Sequence, residues 1–305
     1  MKAIIDTDPG VDDAMAIFYA ASCPEIELLG LTTVFGNVTV EVATRNALHL
    51  VEMIGRPIPV AQGRGAPLVD RPFEPASGIH GEHGFGALPA PAPAGQAVAG
   101  DAVDFLIGQA RAHKGELVLF PIGPLTNIAA AIQRDPDFAR NVKSIYIMGG
   151  AVRAPGNITP FAEANIYHDP EAAQIVFDSG ADVVLVGLDV TDRILLTRQH
   201  LAGLAEQSPK FGGFLAAIAD FYIEVYAGRG ADGCSLHDPA TIIAAVRPEL
   251  FETVRGDVEL RLDGETLGQT VLHEDRARQN VHVCVDAELV AVRNVFLDGV
   301  ARLQG

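Results

Sequence analysis

Residues 2–13 read KAIIDTDPGVDD. The run 2–6 is short, apolar and β-branched, and it ends in aspartates. VDDAMAIFYAAS (11–22) then has helical spacing, with Val11, Met15, Phe18 and Tyr19 on one side. Pro9-Gly10 makes a tight turn between the two. A buried strand that passes through one turn into a helix is the first half of a β–α unit, and the rest of the chain repeats it. IELLGLTTVFGN (26–37) is a second buried-strand pattern that stops at Gly36-Asn37, and VEVATRNALHLVEMIG (40–55) is a helix pattern with Gly55 as C-cap. Strand and helix alternate again through ELVLFP (116–121), LTNIAAAIQR (125–134), VKSIYIMGG (142–150), PEAAQIVFDSG (170–180) and ADVVLVGLDV (181–190).

Near-continuous apolar strands separated by helices predict an α/β fold: an open, mostly parallel twisted sheet with helices on both faces. Ligands of such sheets bind beyond the carboxyl ends of the strands. Asp8, Asn37, Thr126-Asn127, Gly149-Gly150 and Asp189 stand just past successive strands, so all should gather on one rim. VELRL (258–262), QTVLHE (269–274) and NVHVCVD (280–286) read as a small antiparallel or mixed addition, followed by a helix from Ala287. LPAPAPAGQAVAG (88–100) is a flexible loop. There is no internal repeat and no composition break, so residues 1–305 read as one domain.

A formal charge of −17 disfavours nucleic acid and anionic membranes as partners; plain solubility also accounts for it. Three cysteines without a CxxC pair suggest reduced thiols and a cytoplasmic protein rather than a disulfide framework or zinc knuckle. An aspartate at position 6 interrupts any signal-peptide core, and no apolar run approaches the about 20 residues of a bilayer span.

Four segments carry candidate chemistry. In DTDPGVDD (6–13), a helix N-terminus accounts for one or two acids but not for Asp6, Asp8, Asp12 and Asp13 together. A hard divalent cation, Ca²⁺ or Mg²⁺, explains them better, because it takes carboxylate oxygens. In SLHDPATII (235–243), His237 and Asp238 precede Pro239 at a helix start, where Asp238 could join the same cation and His237 could act as an acid. Alone, the triplet is a weak signal, and a surface histidine is the default reading. In GNITPFAEANIYHDPEAA (156–173), Asn157, Glu163 and Asn165 suit a polyhydroxylated ligand or, alternatively, a solvated turn. In SGIHGEHGFGALP (77–89), His80 and His83 sit in a glycine-rich segment that could close as a lid; no further ligand completes a zinc set.

Together these segments resemble the inosine-uridine preferring nucleoside hydrolase family. The matching stretches are DTDPGVDDAMAI, FGN (35–37), IHGEHGFG (79–86), GPLTNIA (123–129), IMGGA (147–151), GNITPFAEANIYHDPEAA and HDP (237–239). The resemblance implies hydrolysis of the N-glycosidic bond of a ribonucleoside, to ribose and a free base, with a bound Ca²⁺. It implies Asp8, Asp13 and Asp238 as calcium carboxylates, Thr126 as a carbonyl ligand, and Asp8 as the group that activates water. Asp12, Asn37 and Asn165 match ribose-hydroxyl binders, Asn157 and Glu163 lie near the 5′-hydroxyl, and Met148 lines the ribose pocket. His237 matches the histidine beside the leaving base and His80 the histidine of the loop. Similar proteins are often dimers or tetramers, so the resemblance implies a homodimer or homotetramer. The position between Glu163 and Asn165, commonly aromatic in the family, is Ala164 here. In FYIEVYAGRGADG (221–233), Tyr222 and Tyr226 lie four apart and share a helix face, so either could meet the base or both could be core. Two other readings are an aspartate-nucleophile phosphohydrolase, disfavoured by the Pro-Gly that follows DxD, and a non-catalytic nucleoside or sugar binder, disfavoured because every expected catalytic position is occupied.

Overall fold

The computed structural model describes residues 1–228 and 230–303. The first half holds β1 (Lys2–Thr7), α1 (Val11–Ser22), β2 (Glu27–Thr33), α2 (Val40–Ile54), β3 (Val60–Gln62), α3 (Ser77–His80), α4 (Ala102–Ala112), β4 (Leu117–Pro121), α5 (Thr126–Arg134), α6 (Phe138–Asn141) and β5 (Ser144–Met148). Then come α7 (Ala164–His168), α8 (Pro170–Asp178), β6 (Val183–Val186), α9 (Leu188–Thr191), β7 (Leu195–Leu196), α10 (Arg198–Gln207) and α11 (Phe211–Gly228). The chain continues through β8 (Cys234–Ser235), α12 (His237–Val246), β9 (Phe251–Leu260), β10 (Thr270–His273), β11 (Val281–Ala287) and α13 (Leu289–Ala301).

Nine of the described strands form one sheet in the order β10-β9-β11-β6-β5-β4-β1-β2-β3. The stretch from β11 to β3 is parallel; β9 and β10 add an antiparallel edge, as the tail of the sequence predicts. Strand side chains alternate between faces, so Ala3 and Ile5 join one apolar core while Ile4 joins the other. β4 divides likewise: Val118 and Phe120 pack against one layer of helices, Leu117 and Leu119 against the other. Both faces are dry, which is why these strands are apolar throughout. Strand order reverses at β1, between β2 and β4, and the crevice above that switch is where a ligand site is expected.

Three sequence expectations change. GLDV (187–190) leaves the sheet and turns into α9, because Gly187 closes on the Gly149 and Gly150 carbonyls, where a Cβ would meet Gly150 O at 2.5 Å. Leu188 N–H then donates to Gly150 O. β11 runs through Ala287, so the last helix begins at Leu289. Finally, α11 has 18 residues and a mean hydropathy of 1.2, long and apolar enough by length and composition to cross a bilayer, contrary to the expectation of no such run. Its apolarity has another destination: α11 packs on α10, α1, α3 and α13.

Candidate active site

Asp8 leaves the end of β1 and α1 begins three residues later, so the turn holds the acids within one helical turn of one another. Asp8 Oδ2 accepts the Asn37 N–H. Its carboxylate lies against two glycines: a Cβ on Gly36 would meet Oδ2 at 2.0 Å and one on Gly123 would meet Oδ1 at 2.5 Å. Asp13 reaches back to the start of its own helix and accepts four hydrogen bonds, from Thr7 Oγ1 (2.6 Å), Asp8 N–H (3.2 Å), Gly10 N–H (2.9 Å) and Asn37 Nδ2 (3.0 Å). Asp12, on the adjacent face, turns toward the crevice.

Carboxylate oxygens of Asp12, Asp13 and Asp238 lie within 4.8 Å of one another, and all three residues are buried. Asp8 is buried beside them. Burial, and then repulsion from their neighbours, hold the carboxyls of Asp8 and Asp238 well above the usual carboxylate range and push Asp12 up to about 8; burial also raises Asp13. The nearest basic atom among the described ion pairs is His80 Nδ1, 3.8 Å from Asp12 Oδ1. That ring offers no charge: Nδ1 accepts the Val11 N–H, and burial takes its pKa down to about 3. Asp8 Oδ1 and Asp12 Oδ1 have no hydrogen-bond partner. Clustered, buried carboxylates with unpartnered oxygens and, among the described residues, no countercharge fit a hard cation held by oxygen ligands. The geometry thus groups Asp12, alongside Asp13 and Asp238, as an atom-distance set that could hold a metal.

The cluster opens on a cavity of about 330 Å³. Asp12, Asn37, His80, Met148, Asn157, Glu163, Asn165, Tyr222, Tyr226, His237 and Asp238 all line it, so most of the residues expected from sequence meet in one place. Asp8 and Asp13 lie beneath its floor, each fully buried. One wall is a hydrogen-bonded chain. Thr191 Oγ1 contacts His237 Nδ1 at 2.8 Å, His237 Nε2 contacts the Tyr226 hydroxyl at 2.7 Å, Tyr226 meets Tyr222 at 3.4 Å, and Tyr222 donates to Asp12 Oδ2 at 3.5 Å. His80 stacks on Tyr222, centroids 5.2 Å apart. Burial keeps His237 neutral against the opposing pull of Asp192, 3.9 Å away, and raises both tyrosines, so their hydroxyls stay protonated.

Other expected residues have structural duties as well. Glu163 caps α7 by accepting the Asn165 and Ile166 N–H groups, and it also accepts Gly150 N–H. Asn157 Oδ1 accepts Ala164 N–H. Asn165 Nδ2 donates to the Ile122 and Met148 carbonyls. Thr126 begins α5; its hydroxyl donates to Asp169 and it does not line the cavity. Asn127 braces the rim from behind, donating to Asp6 and to the Thr33 carbonyl. Asp189 binds three successive N–H groups, of Val152, Arg153 and Ala154, and so fixes the loop that carries Asn157. Of FYIEVYAGRGADG, Arg229 lies outside the described residues. Sequence reading missed Glu74, Ile79, Ile122, Ile158 and His168 on the cavity wall. Only His168 left a signal: HDP occurs at 168–170 as well as at 237–239.

Comparison with known proteins identifies the family. Residues 3–294 match the model of the inosine-uridine preferring nucleoside hydrolase family. A probable uridine nucleosidase of Arabidopsis thaliana is 42% identical over 310 residues, covering 97% of this chain and 96% of that protein. Among solved structures, a plant nucleoside hydrolase superposes with a TM-score of 0.94 at 39% identity, covering 98% of each chain. A purine-preferring ribonucleoside hydrolase from Gardnerella vaginalis gives 0.95 at 37% identity over 99% of each. The chain belongs to the inosine-uridine preferring nucleoside hydrolase family and is an enzyme that hydrolyses the N-glycosidic bond of nucleosides.

Proposed function

We propose that this enzyme is a Ca²⁺-dependent ribonucleoside hydrolase with uridine among its substrates, yielding ribose and free base. The observation that carries the reading is the buried acid cluster of Asp12, Asp13 and Asp238 joined to the Tyr222–Tyr226–His237 chain in the lining of one cavity. Uridine is named because a relative 42% identical bears the name uridine nucleosidase. Asp8, Asp13 and Asp238, with the Thr126 carbonyl, would hold the cation, which supplies a Lewis acid for a vicinal diol and for the water.

The chain's own residues do the rest. Asp8 Oδ1, unpartnered while Oδ2 is tied to Asn37 N–H, accepts the proton of the attacking water. The dense negative charge around it stabilises the positive charge that develops on the ribose in an oxocarbenium-like transition state. Asp12, Asn37 and Asn165 orient ribose hydroxyls. The two hydrogen bonds from Asn165 Nδ2 to main-chain carbonyls fix that amide with Oδ1 turned away from them. On the adjoining wall His237 and Tyr226, joined by a 2.7 Å hydrogen bond, stand where they can donate to the leaving base. His80 and Tyr222 supply a stacked surface beside it. A homodimer or homotetramer, one domain across 1–305 and a cytoplasmic location complete the proposal.

The test is base release from uridine, cytidine, inosine, adenosine and their 2′-deoxy forms, with Ca²⁺ and with excess chelator. Uracil is released from uridine and far more slowly from 2′-deoxyuridine, and chelation stops turnover until Ca²⁺ is restored. Full-rate cleavage by chelated protein, or equal cleavage of the deoxyriboside, sinks the reading.

A further inference from the structure

The acid cluster forms the floor of the cavity and the Tyr–His chain one wall. The wall across from that chain is built differently. Ala164 and His168 lie four apart on α7 and so share a face, and Glu74, Ala76 and Ile158 complete the surface. Ala164 contributes only a methyl group, which leaves room beside it. His168 is wedged edge-on to Phe73, ring centroids 5.5 Å apart, and next to Phe35 at 6.4 Å. Burial brings its pKa down to about 4, so the imidazole is neutral. Its Nδ1 is buried with no partner. A buried N–H without an acceptor is rarer than an unused lone pair, so the proton sits on Nε2. Nε2 is the ring nitrogen left to face the cavity, as a neutral donor.

Ribose geometry says what reaches that donor. C1′ and C4′ flank the two carbons of the vicinal diol. With the diol over Asp12 and Asp238 and the base toward His237, C4′ and its 5′ carbon point away from the Tyr–His chain, toward Asn157 and α7.

We propose that the Ala164–His168 face of α7 is a 5′ subsite that admits ribonucleosides carrying a small uncharged 5′-O-acyl group, whose carbonyl oxygen accepts the His168 Nε2–H. This inference rests on the ribonucleoside reading above. The chemistry of the reaction is unchanged: water enters at C1′, the N-glycosidic bond breaks, and the products are free base and 5-O-acylribose. A 5′-phosphate is excluded, because among the described residues lining the cavity none is Lys or Arg, while Asp12, Glu74, Glu163 and Asp238 are there.

The experiment compares kcat/KM for uridine, 5′-O-acetyluridine and uridine 5′-monophosphate, scored as released uracil and acetylribose, in the wild type and in Ala164→Phe, Ala164→Leu and His168→Leu. The wild type cleaves the acetyl ester within about tenfold of uridine and leaves the phosphate intact. Filling the wall with Phe or Leu lowers ester cleavage at least about tenfold, while uridine cleavage holds within about threefold. His168→Leu lowers ester cleavage about fivefold, the loss of one hydrogen bond, and spares uridine. The proposal is overturned if the wild type cleaves uridine but rejects the ester, or if the variants depress both substrates equally. If uridine itself is not cleaved, the ribonucleoside reading falls and takes the subsite with it.

Discussion

Asp6 and Asp8 are separated by one threonine and are both buried, yet their surroundings differ. Asp6 Oδ1 accepts Thr32 Oγ1 and Asn127 Nδ2, so it braces the strand ends from behind the acid cluster. Its Oδ2 has no partner, and burial pushes its pKa up to about 7. A carboxyl raised in this way favours the fold most below the unfolded value near 4, and that contribution is lost as pH rises through about 7. Asp6→Asn removes the titration and keeps an acceptor for Thr32 and Asn127. In chelator-treated protein, the variant should therefore melt close to wild type at pH 5 and several degrees above it at pH 8.5. A melting-temperature difference that shrinks with rising pH would contradict the assignment. The sequence shows Asp6 as one acid among four; that it touches Asn127 rather than the cluster depends on a partner 121 residues away.

At the scale of elements, α11 and α12 place the wall that rises beside the acids. Tyr222 and Tyr226 are one turn apart on α11, and α12, which follows β8, opens with His237, whose Nε2 lies 2.7 Å from the Tyr226 hydroxyl. Tyr226→Phe keeps the ring and its packing against Tyr222, and removes the hydroxyl between Tyr222 and His237. Loss of one acid–base group costs roughly 10²–10⁴ in rate. The variant should lose kcat on that scale for uridine with KM changed little. A rise in KM at constant kcat would show that Tyr226 only binds. The helical spacing of the two tyrosines is legible in sequence, but whether that face enters the core or the site is not. α11 is apolar enough to be buried entirely, and only its packing on α1 and α3 turns Tyr222 toward Asp12. The strand-like pattern of GLDV failed for a related reason: Gly187's approach to Gly149 and Gly150 bends the chain out of the sheet, and Asp189 then captures three N–H groups of the next loop.

For the whole molecule, four buried carboxylates on one rim oppose folding unless something compensates them. Removing divalent cations should lower the melting temperature and Ca²⁺ should restore it. Saturation at about 100 times Kd contributes ~2.7 kcal/mol, which at this size corresponds to several degrees. The shift should grow from pH 5 to pH 8.5, because protonated carboxyls, Asp12 among them at about 8, bind no cation and repel little. A Ca²⁺ shift that is absent at pH 8.5 would remove the cation from the cluster.

The sequence by itself determined the β–α order, the parallel core of the sheet and the place of Asp8, Asp12 and Asp13 at its carboxyl rim. These follow from local physics: apolar periodicity, a Pro-Gly turn, and acids within one helical turn. Tertiary structure alone decided what identical local patterns do. HDP stands at a helix start twice: at 168–170, where His168 ends α7, Asp169 caps α8 and Pro170 opens it, and at 237–239, where His237 opens α12. Asp169 is spent on Thr126 Oγ1, Leu68 N–H and its own helix cap, whereas Asp238 faces Asp12 and Asp13. His168 stands among Phe35 and Phe73, and His237 between Thr191 and Tyr226. The triplet sets the helix start; the role of each side chain is set by partners brought from distant strands and helices, which no local spacing encodes.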